Sequence, residues 1–385
     1  MLRVLGEVGH SEASNFFCGQ FDSVHLPMVW FIELTPSLAI FFRVSIVGSV
    51  FVLLSSGLLG VWFGLECNFF GFIPLLYGKC SEEVERRMKY FLVQSLGSAI
   101  ILIGVIIFIT EFRWGQMSSW SMAMVLIIFG IFIKVGLFPF HAWFPRVMGT
   151  SSWLNCFMLS AWQKLGTMFF ISGVGLSGYL MGLTVVRGLT TAFIGAVGGV
   201  GQVFYRALIR YSSFIHSGWM VLIRVTREIY LFFYFFLYSA ISLFLFRLLH
   251  KLGGRGVGVG GSTGLSCPYL AWLWVVFNIL SLAGLPPLVG AILKLLGIGA
   301  VCSFSFVSLV ILLVCSVISL FYYLVIFCRV SFKRLSFAFE SYSEEREIKC
   351  PVRRLANKIT KTKEGFLTRA RTLFLGLTSF FSVVF

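Results

Sequence analysis

The sequence predicts an all-α polytopic membrane protein of about eleven transmembrane helices, two of them broken, arranged as an inverted-repeat transporter core. Three observations lead there. Of 385 residues, 58% are hydrophobic and only 12% charged, with a mean hydropathy of +0.94, whereas soluble domains carry roughly a quarter charged residues. Apolar runs of about 20 residues, the length that crosses a bilayer as helix, recur from Ser37 to the C-terminus. Two of those runs set a lysine beside glycine and proline. Helices are the default because lipid leaves backbone polar groups no water to bond; a barrel needs alternating segments of roughly ten residues, and none is visible.

Residues 1–36 form an N-terminal extension. Arg3 is its only basic residue, against Glu7, Glu12, Asp22 and Glu33, so it lacks the arginine-rich, acid-poor pattern of a transit peptide. A transmembrane domain over 37–328 follows, with predicted spans at 37–59, 61–77, 89–110, 119–144, 153–171, 181–201, 207–223, 230–250, 268–300 and 302–327. The stretch 268–300 is long enough for two half-helices. A basic loop at 329–371 leads to a last transmembrane helix at 372–385.

If these spans alternate, one side of the membrane receives Lys79, Arg86, Arg87, Lys89, Arg146, Arg206, Arg210, Lys251, Arg255 and the basic loop. The other receives Arg113, Arg224 and Arg227. Cytoplasmic-side loops carry the excess of lysine and arginine, which places the N-terminus on the cytoplasm-equivalent side. Much of the net charge of +16 sits in 329–371. Its densest basic stretch, Lys349 to Lys363, holds no aromatic residue to stack bases, so nucleic acid is not the expected partner; anionic lipid headgroups, acidic neighbouring subunits or plain solvation account for it.

The nine cysteines show no CxxC spacing and read as small core residues, not metal ligands or disulfides. GGRGVGVGGSTG, Gly253 to Gly264, follows a predicted transmembrane helix and contains no GxxxxGK[ST], so it reads as a flexible loop and not a phosphate loop.

The informative residues are the charged groups left inside spans: Arg43, Glu66, Lys134, Lys164, Arg187 and Lys294, with His141 and His216. Each lysine or acid at a helix centre costs about 2.5–3.5 kcal/mol to insert. Arg43 and Arg187 read as snorkelling to an interface, and His141 as a structural hydrogen-bonding residue. Glu66 is the only carboxylate within a span, facing three lysines. A buried lysine whose acid partner can approach or retreat is a switchable proton site. Lys134 precedes Pro139 in KVGLFP, and Pro286 and Pro287 precede Lys294 in AGLPPLVGAILK. Proline breaks a helix, and broken helices in corresponding halves of a chain point to an inverted-repeat core.

The strings WFGLECNFFGFIPLL, KYFLVQSLGSA, KVGLFPFHAWFPRV, LSAWQKLG, RYSSFIHSGWM and LAGLPPLVGAILK occur in an order that resembles the NADH dehydrogenase subunit 2 family, the antiporter-like membrane subunits of respiratory complex I. The shortened, eleven-helix animal mitochondrial form is the most similar. The resemblance implies an antiporter-like core in which Glu66 and Lys134 form the glutamate–lysine pair, Lys164 is the central connecting lysine, Lys294 belongs to the second broken helix and His216 assists the relay. It implies proton translocation driven by quinone reduction elsewhere in a hetero-oligomer of membrane-arm subunits in the mitochondrial inner membrane, with the N-terminus on the matrix side and lipids such as cardiolipin as further partners. It also implies that no cofactor is bound in this chain, while NADH, FMN, iron–sulfur clusters and ubiquinone are handled by partner subunits. A standalone cation/proton antiporter is the alternative, and it usually has more than one intramembrane acid. Arg146 after Pro145 departs from the family, where an acid is usual, and Leu293 replaces a proline often found before Lys294.

Overall fold

The computed structural model describes residues 36–77, 81–114, 120–173, 178–202, 204–226, 228–252, 269–286 and 288–347. The chain divides into two compact units, Met1–Cys328 and Arg329–Phe385. Described residues are almost entirely helical: α1 Pro36–Leu54, α2 Leu58–Phe72, α3 Ser81–Trp114, α4 Trp120–Val135, α5 Trp143–Thr150, α6 Trp153–Phe157, α7 Gln163–Gly173, α8 Gly178–Gly199, α9 Tyr205–Thr226, α10 Glu228–Lys251, α11 Tyr269–Ala283, α12 Val289–Val301 and α13 Phe306–Glu347. Every predicted span as far as Phe327 overlaps one of these stretches. The N-terminal extension up to residue 35, the last predicted span at 372–385 and Pro287 lie outside the described residues.

Seven helical stretches among the described residues are long and apolar enough to cross a membrane. Three further predicted spans have local reasons for standing apart. The predicted span 153–171 is interrupted by a π-helical turn, Met158–Trp162. Helix α9 carries Arg206, Arg210 and Arg224. The predicted span 268–300 is two half-helices, α11 and α12, as its length suggested. From Arg329 the sequence reading placed a loop, whereas residues 329–347 continue as helix; that stretch contains no proline or glycine before Pro351 to stop it.

The outer surface is apolar, with Val47, Leu96, Phe193, Phe236 and Val317 exposed, as a lipid-facing surface requires. Polar groups turn inward. Ser45, Ser49 and Asn68 are buried between α1 and α2, where Ser45 Oγ donates to Asn68 Oδ1 at 2.5 Å. Trp219, Tyr90, Tyr234, Phe132 and Phe144 are fully buried between the helices. The interior is therefore a packed aromatic core threaded by small polar side chains, and these set the surroundings of every in-span charge.

Candidate proton-relay site

The site begins where α4 stops. Gly136 has φ +77°, a left-handed conformation that glycine adopts without a Cβ penalty. Its N–H donates to Ile133 O at 3.2 Å while Leu137 N–H donates to Phe132 O at 2.9 Å, the paired bonds of a Schellman helix end. Trp143 Nε1 donates to Ile133 O at 3.2 Å and Gln94 Nε2 to Lys134 O at 3.0 Å. The carbonyls freed by the break are thus satisfied within protein, the condition for irregular backbone at membrane depth.

Lys134 sits in the last turn of α4. Its Nζ lies 3.2 Å from Glu66 Oε1, with both residues buried. The same carboxylate oxygen accepts a hydrogen bond from Ser98 Oγ. Removing one partner of a buried pair costs about 3–5 kcal/mol, so the pair is held while both members are charged. The location is favourable for a cation as well, because the C-terminal end of a helix carries partial negative charge.

The second break repeats the first. Gly284 has φ +76°; its N–H donates to Ser281 O at 2.9 Å and Leu285 N–H to Leu280 O at 3.4 Å. The two breaks read Gly136-Leu137-Phe138-Pro139 and Gly284-Leu285-Pro286-Pro287. Their lysines arrive differently. Lys134 comes from the half-helix that ends at the break, whereas Lys294 lies on α12 and folds back, so that a Cβ placed on Gly284 would be 2.5 Å from its Cε. Both side chains consequently lie at the negative end of the first half-helix. Among the described residues no carboxylate pairs with Lys294.

Lys164 occupies the middle. The π-helical turn Met158–Trp162 ends two residues before it, and such insertions are frequent at functional sites. The Lys164 ammonium is buried, donates to Ser217 Oγ at 2.7 Å and Ser213 O at 3.2 Å, and stands 4.9 Å from the centre of the Phe144 ring, close enough for cation–π attraction. It is not a snorkelling helix-end lysine. Next to Ser217 on α9, His216 Nδ1 is 2.9 Å from the Tyr234 hydroxyl and its ring lies 4.7 Å from that of Tyr238. His216 is within electrostatic range of both Lys164 and Lys294.

The structure therefore brings Glu66 and Lys134 into contact, seats Lys164 against α9, and sets His216 against Tyr234 and Tyr238, within electrostatic range of Lys164 and Lys294. Pro139 and Pro286 lie just beyond the glycines that make the breaks. His141 stacks against Phe138 and meets Phe214 edge-on, and its Nδ1 has no hydrogen-bond partner among the described residues. Arg187, half-buried on α8, donates from Nη1 to Phe138 O at 3.2 Å, a contact the sequence reading did not anticipate. Residues missed from sequence are Ser98, Ser213, Ser217, Tyr234 and Tyr238. A signal existed for two of these pairs: Ser213 with Ser217, and Tyr234 with Tyr238, are polar groups four apart on one face of a helix. Among the described residues no cluster of histidine, cysteine and acids has the make-up of a metal site, and Cys67, Cys156, Cys302, Cys315 and Cys328 are unbridged.

Comparison with known proteins gives one consistent result. The family described as NADH:quinone oxidoreductase/Mrp antiporter, transmembrane, matches residues 55–319. NADH-ubiquinone oxidoreductase chain 2 of Locusta migratoria is 30% identical over 296 residues, covering 75% of this chain and 82% of that protein. The protein of the same name from Aedes aegypti is 34% identical over 288 residues, covering 74% of this chain and 83% of its own. Among solved structures, a chain of respiratory complex I from Thermus thermophilus with bound aureothin superposes with a TM-score of 0.69 at 24% identity, covering 76% of this chain and 70% of that one. A chain of the Mrp complex from a Dietzia species gives 0.64 at 20% identity, covering 75% and 59%. At those identities the likeness is one of fold.

Proposed function

We infer the function of this chain from its membership: it belongs to the NADH:quinone oxidoreductase/Mrp antiporter membrane family, in the NADH-ubiquinone oxidoreductase chain 2 branch. It is a proton-translocating membrane subunit of respiratory complex I, and so part of a proton-pumping NADH:ubiquinone reductase whose redox steps occur in other subunits. NADH, FMN, iron–sulfur clusters and ubiquinone belong to those partners. The chain sits in the mitochondrial inner membrane with its N-terminus on the matrix side, among other membrane-arm subunits and lipids such as cardiolipin.

Proton movement runs through Glu66, Lys134, Lys164, His216 and Lys294. The observation that carries this reading is the buried Lys134–Glu66 contact of 3.2 Å at the end of a broken helix. While Glu66 stays close, Lys134 holds its proton. When quinone reduction elsewhere in the complex draws Glu66 away, desolvation weakens that hold and the proton passes inward. Lys164 takes it between Ser217 and Phe144, and His216, within electrostatic range of both Lys164 and Lys294, assists its passage. At the second break, Lys294 has no carboxylate among the described residues to retain a proton, which suits a site that passes it on. Moving a charge against 100 mV costs about 2.3 kcal/mol, and that energy enters from the neighbouring subunits.

The experiment is the proton-to-electron ratio of the reconstituted complex carrying Lys164→Ala. A relay through Lys164 predicts continued NADH oxidation with fewer protons ejected per electron. An unchanged ratio in fully assembled complex sinks the relay role.

A further inference from the structure

Arg187 lies in the middle of α8, inside a predicted span, and has no part in the relay above. A cation at that depth is costly to insert, and no carboxylate pairs with it among the described residues. Its surroundings show what it holds. Nη1 donates to Phe138 O at 3.2 Å, and the guanidinium carbon stands 5.8 Å from the centre of the Phe138 ring. One turn further along α8, Thr191 Oγ1 accepts from Phe138 N–H at 3.0 Å. The Thr191 hydroxyl hydrogen is committed to Arg187 O at 2.6 Å, which leaves its lone pairs for the Phe138 amide.

We propose that Arg187 and Thr191 are positioning residues for proton transfer: from one face of α8 they grip both backbone polar groups of Phe138, and so fix the break on which Lys134 is carried. The proposal rests on the reading that Lys134 transfers protons. Phe138 stands two residues past Gly136, where the chain has left α4 and has no helical partner for either group. Unpaired backbone at membrane depth is strongly disfavoured, so the break has a defined position only where something meets it. Trp143 and Gln94 secure the α4 side through Ile133 O and Lys134 O. Arg187 and Thr191 secure the far side.

The same helix also backs the middle of the relay. A Cβ placed on Gly218 would lie 2.6 Å from the Ala192 side chain, so α8 and α9 are in close contact one residue from Thr191 and one residue from Ser217, the Lys164 partner. Displacement of the first break is thereby felt at α8, and α8 bears on the turn of α9 that seats Lys164. Arg187 and Thr191 thus tie the Lys134 site to the Lys164 site without touching either ammonium.

The test compares Thr191→Val, Thr191→Ser, Thr190→Val and Lys134→Ala in assembled, reconstituted complex, reading protons ejected per NADH oxidised and normalising to complex on a native gel. Thr190 is the matched control, because among the described residues its hydroxyl bonds to Val186 O and Arg187 O of its own helix and not to the break. Loss of one buried hydrogen bond shifts the balance toward a released break roughly five-fold. We expect Thr191→Val to lower the ratio, Thr191→Ser to restore it and Thr190→Val to leave it at the wild-type value. Should Thr191→Val not assemble, Arg187→Met removes the other half of the grip and is expected to lower the ratio in the same way. A wild-type ratio in assembled Thr191→Val, beside a lowered one in Lys134→Ala, overturns the positioning role alone. A smaller yield of complex at an unchanged ratio overturns it too, by reducing the pair to a scaffold. A wild-type ratio in Lys134→Ala overturns the relay reading beneath it.

Discussion

Substituting alanine at each of the two breaks separates backbone strain from side-chain placement. Gly136 and Gly284 have nearly the same φ, +77° and +76°, so Gly136→Ala and Gly284→Ala carry the same left-handed penalty of about 1–2 kcal/mol. What the new methyl meets is different. At Gly136 it lies 3.3–3.5 Å from the Trp143 indole, which accommodates it by yielding a few tenths of an ångström. At Gly284 it lies 2.5 Å from Cε and 2.6 Å from Cδ of Lys294, well inside the usual carbon–carbon contact of about 3.5–4.0 Å. A lysine chain is flexible, so it gives way: the ammonium leaves the break by about 1 Å or more, a misplacement that can cost on the order of a hundred-fold in a transfer step. Both variants are therefore expected to assemble, Gly284→Ala with a much lower rate of proton ejection per NADH oxidised and Gly136→Ala with a mild loss. Proton uptake and NADH oxidation followed together in proteoliposomes would measure this. Equal ratios in the two variants would refute the claim that Lys294 works from its seat over Gly284.

Two further outcomes follow from the same geometry. Gly290→Ala would place a Cβ 1.4 Å from the Ser281 carbonyl oxygen, a backbone atom that cannot retreat, so the two half-helices should fail to pair and the assembled complex should vanish from a native gel; normal assembly would contradict the packing of α11 against α12. Tyr234→Phe removes the hydroxyl 2.9 Å from His216 Nδ1, a loss of about 1 kcal/mol, and should lower the proton-to-electron ratio while leaving assembly intact; an unchanged ratio would make that contact incidental to the relay.

Much of this site was legible because membrane insertion makes charge conspicuous. Glu66 and Lys134 stand out in apolar sequence, and the glycine and proline beside Lys134 announce an interrupted helix. The absence of another in-span acid singled out Glu66, but choosing Lys134 among three lysines, 68 positions away, came from the family resemblance. The contact of Arg187 with Phe138 was missed for a physical reason. What an in-span arginine touches depends on which face of α8 it occupies and what stands opposite, and hydropathy reports depth without direction. The fold-back of Lys294 over Gly284 is a side-chain conformation, invisible to spacing. Ser98, one hydroxyl among many in an apolar run, acquires meaning only once α2 and α3 place it against Glu66. Continuation of α13 past Cys328 was obscured by the density of its charges, which resembles a linker although each residue tolerates helix.

The π-helical turn at Met158–Trp162 acts on Lys164 as an angular phase. An α-helix advances about 100° per residue, so the one extra residue taken up by this turn rotates everything after it by about that much relative to an uninterrupted helix. Lys164 faces Ser213 and Ser217 because of that rotation. A chain one residue shorter between Met158 and Trp162 would keep its helical content, its hydropathy profile and every charged residue, yet point the central ammonium at a different neighbour. The middle of the relay is thus encoded in a count of residues as much as in their identities, and a single in-frame deletion there is chemically silent in composition but shifts the lysine's bearing.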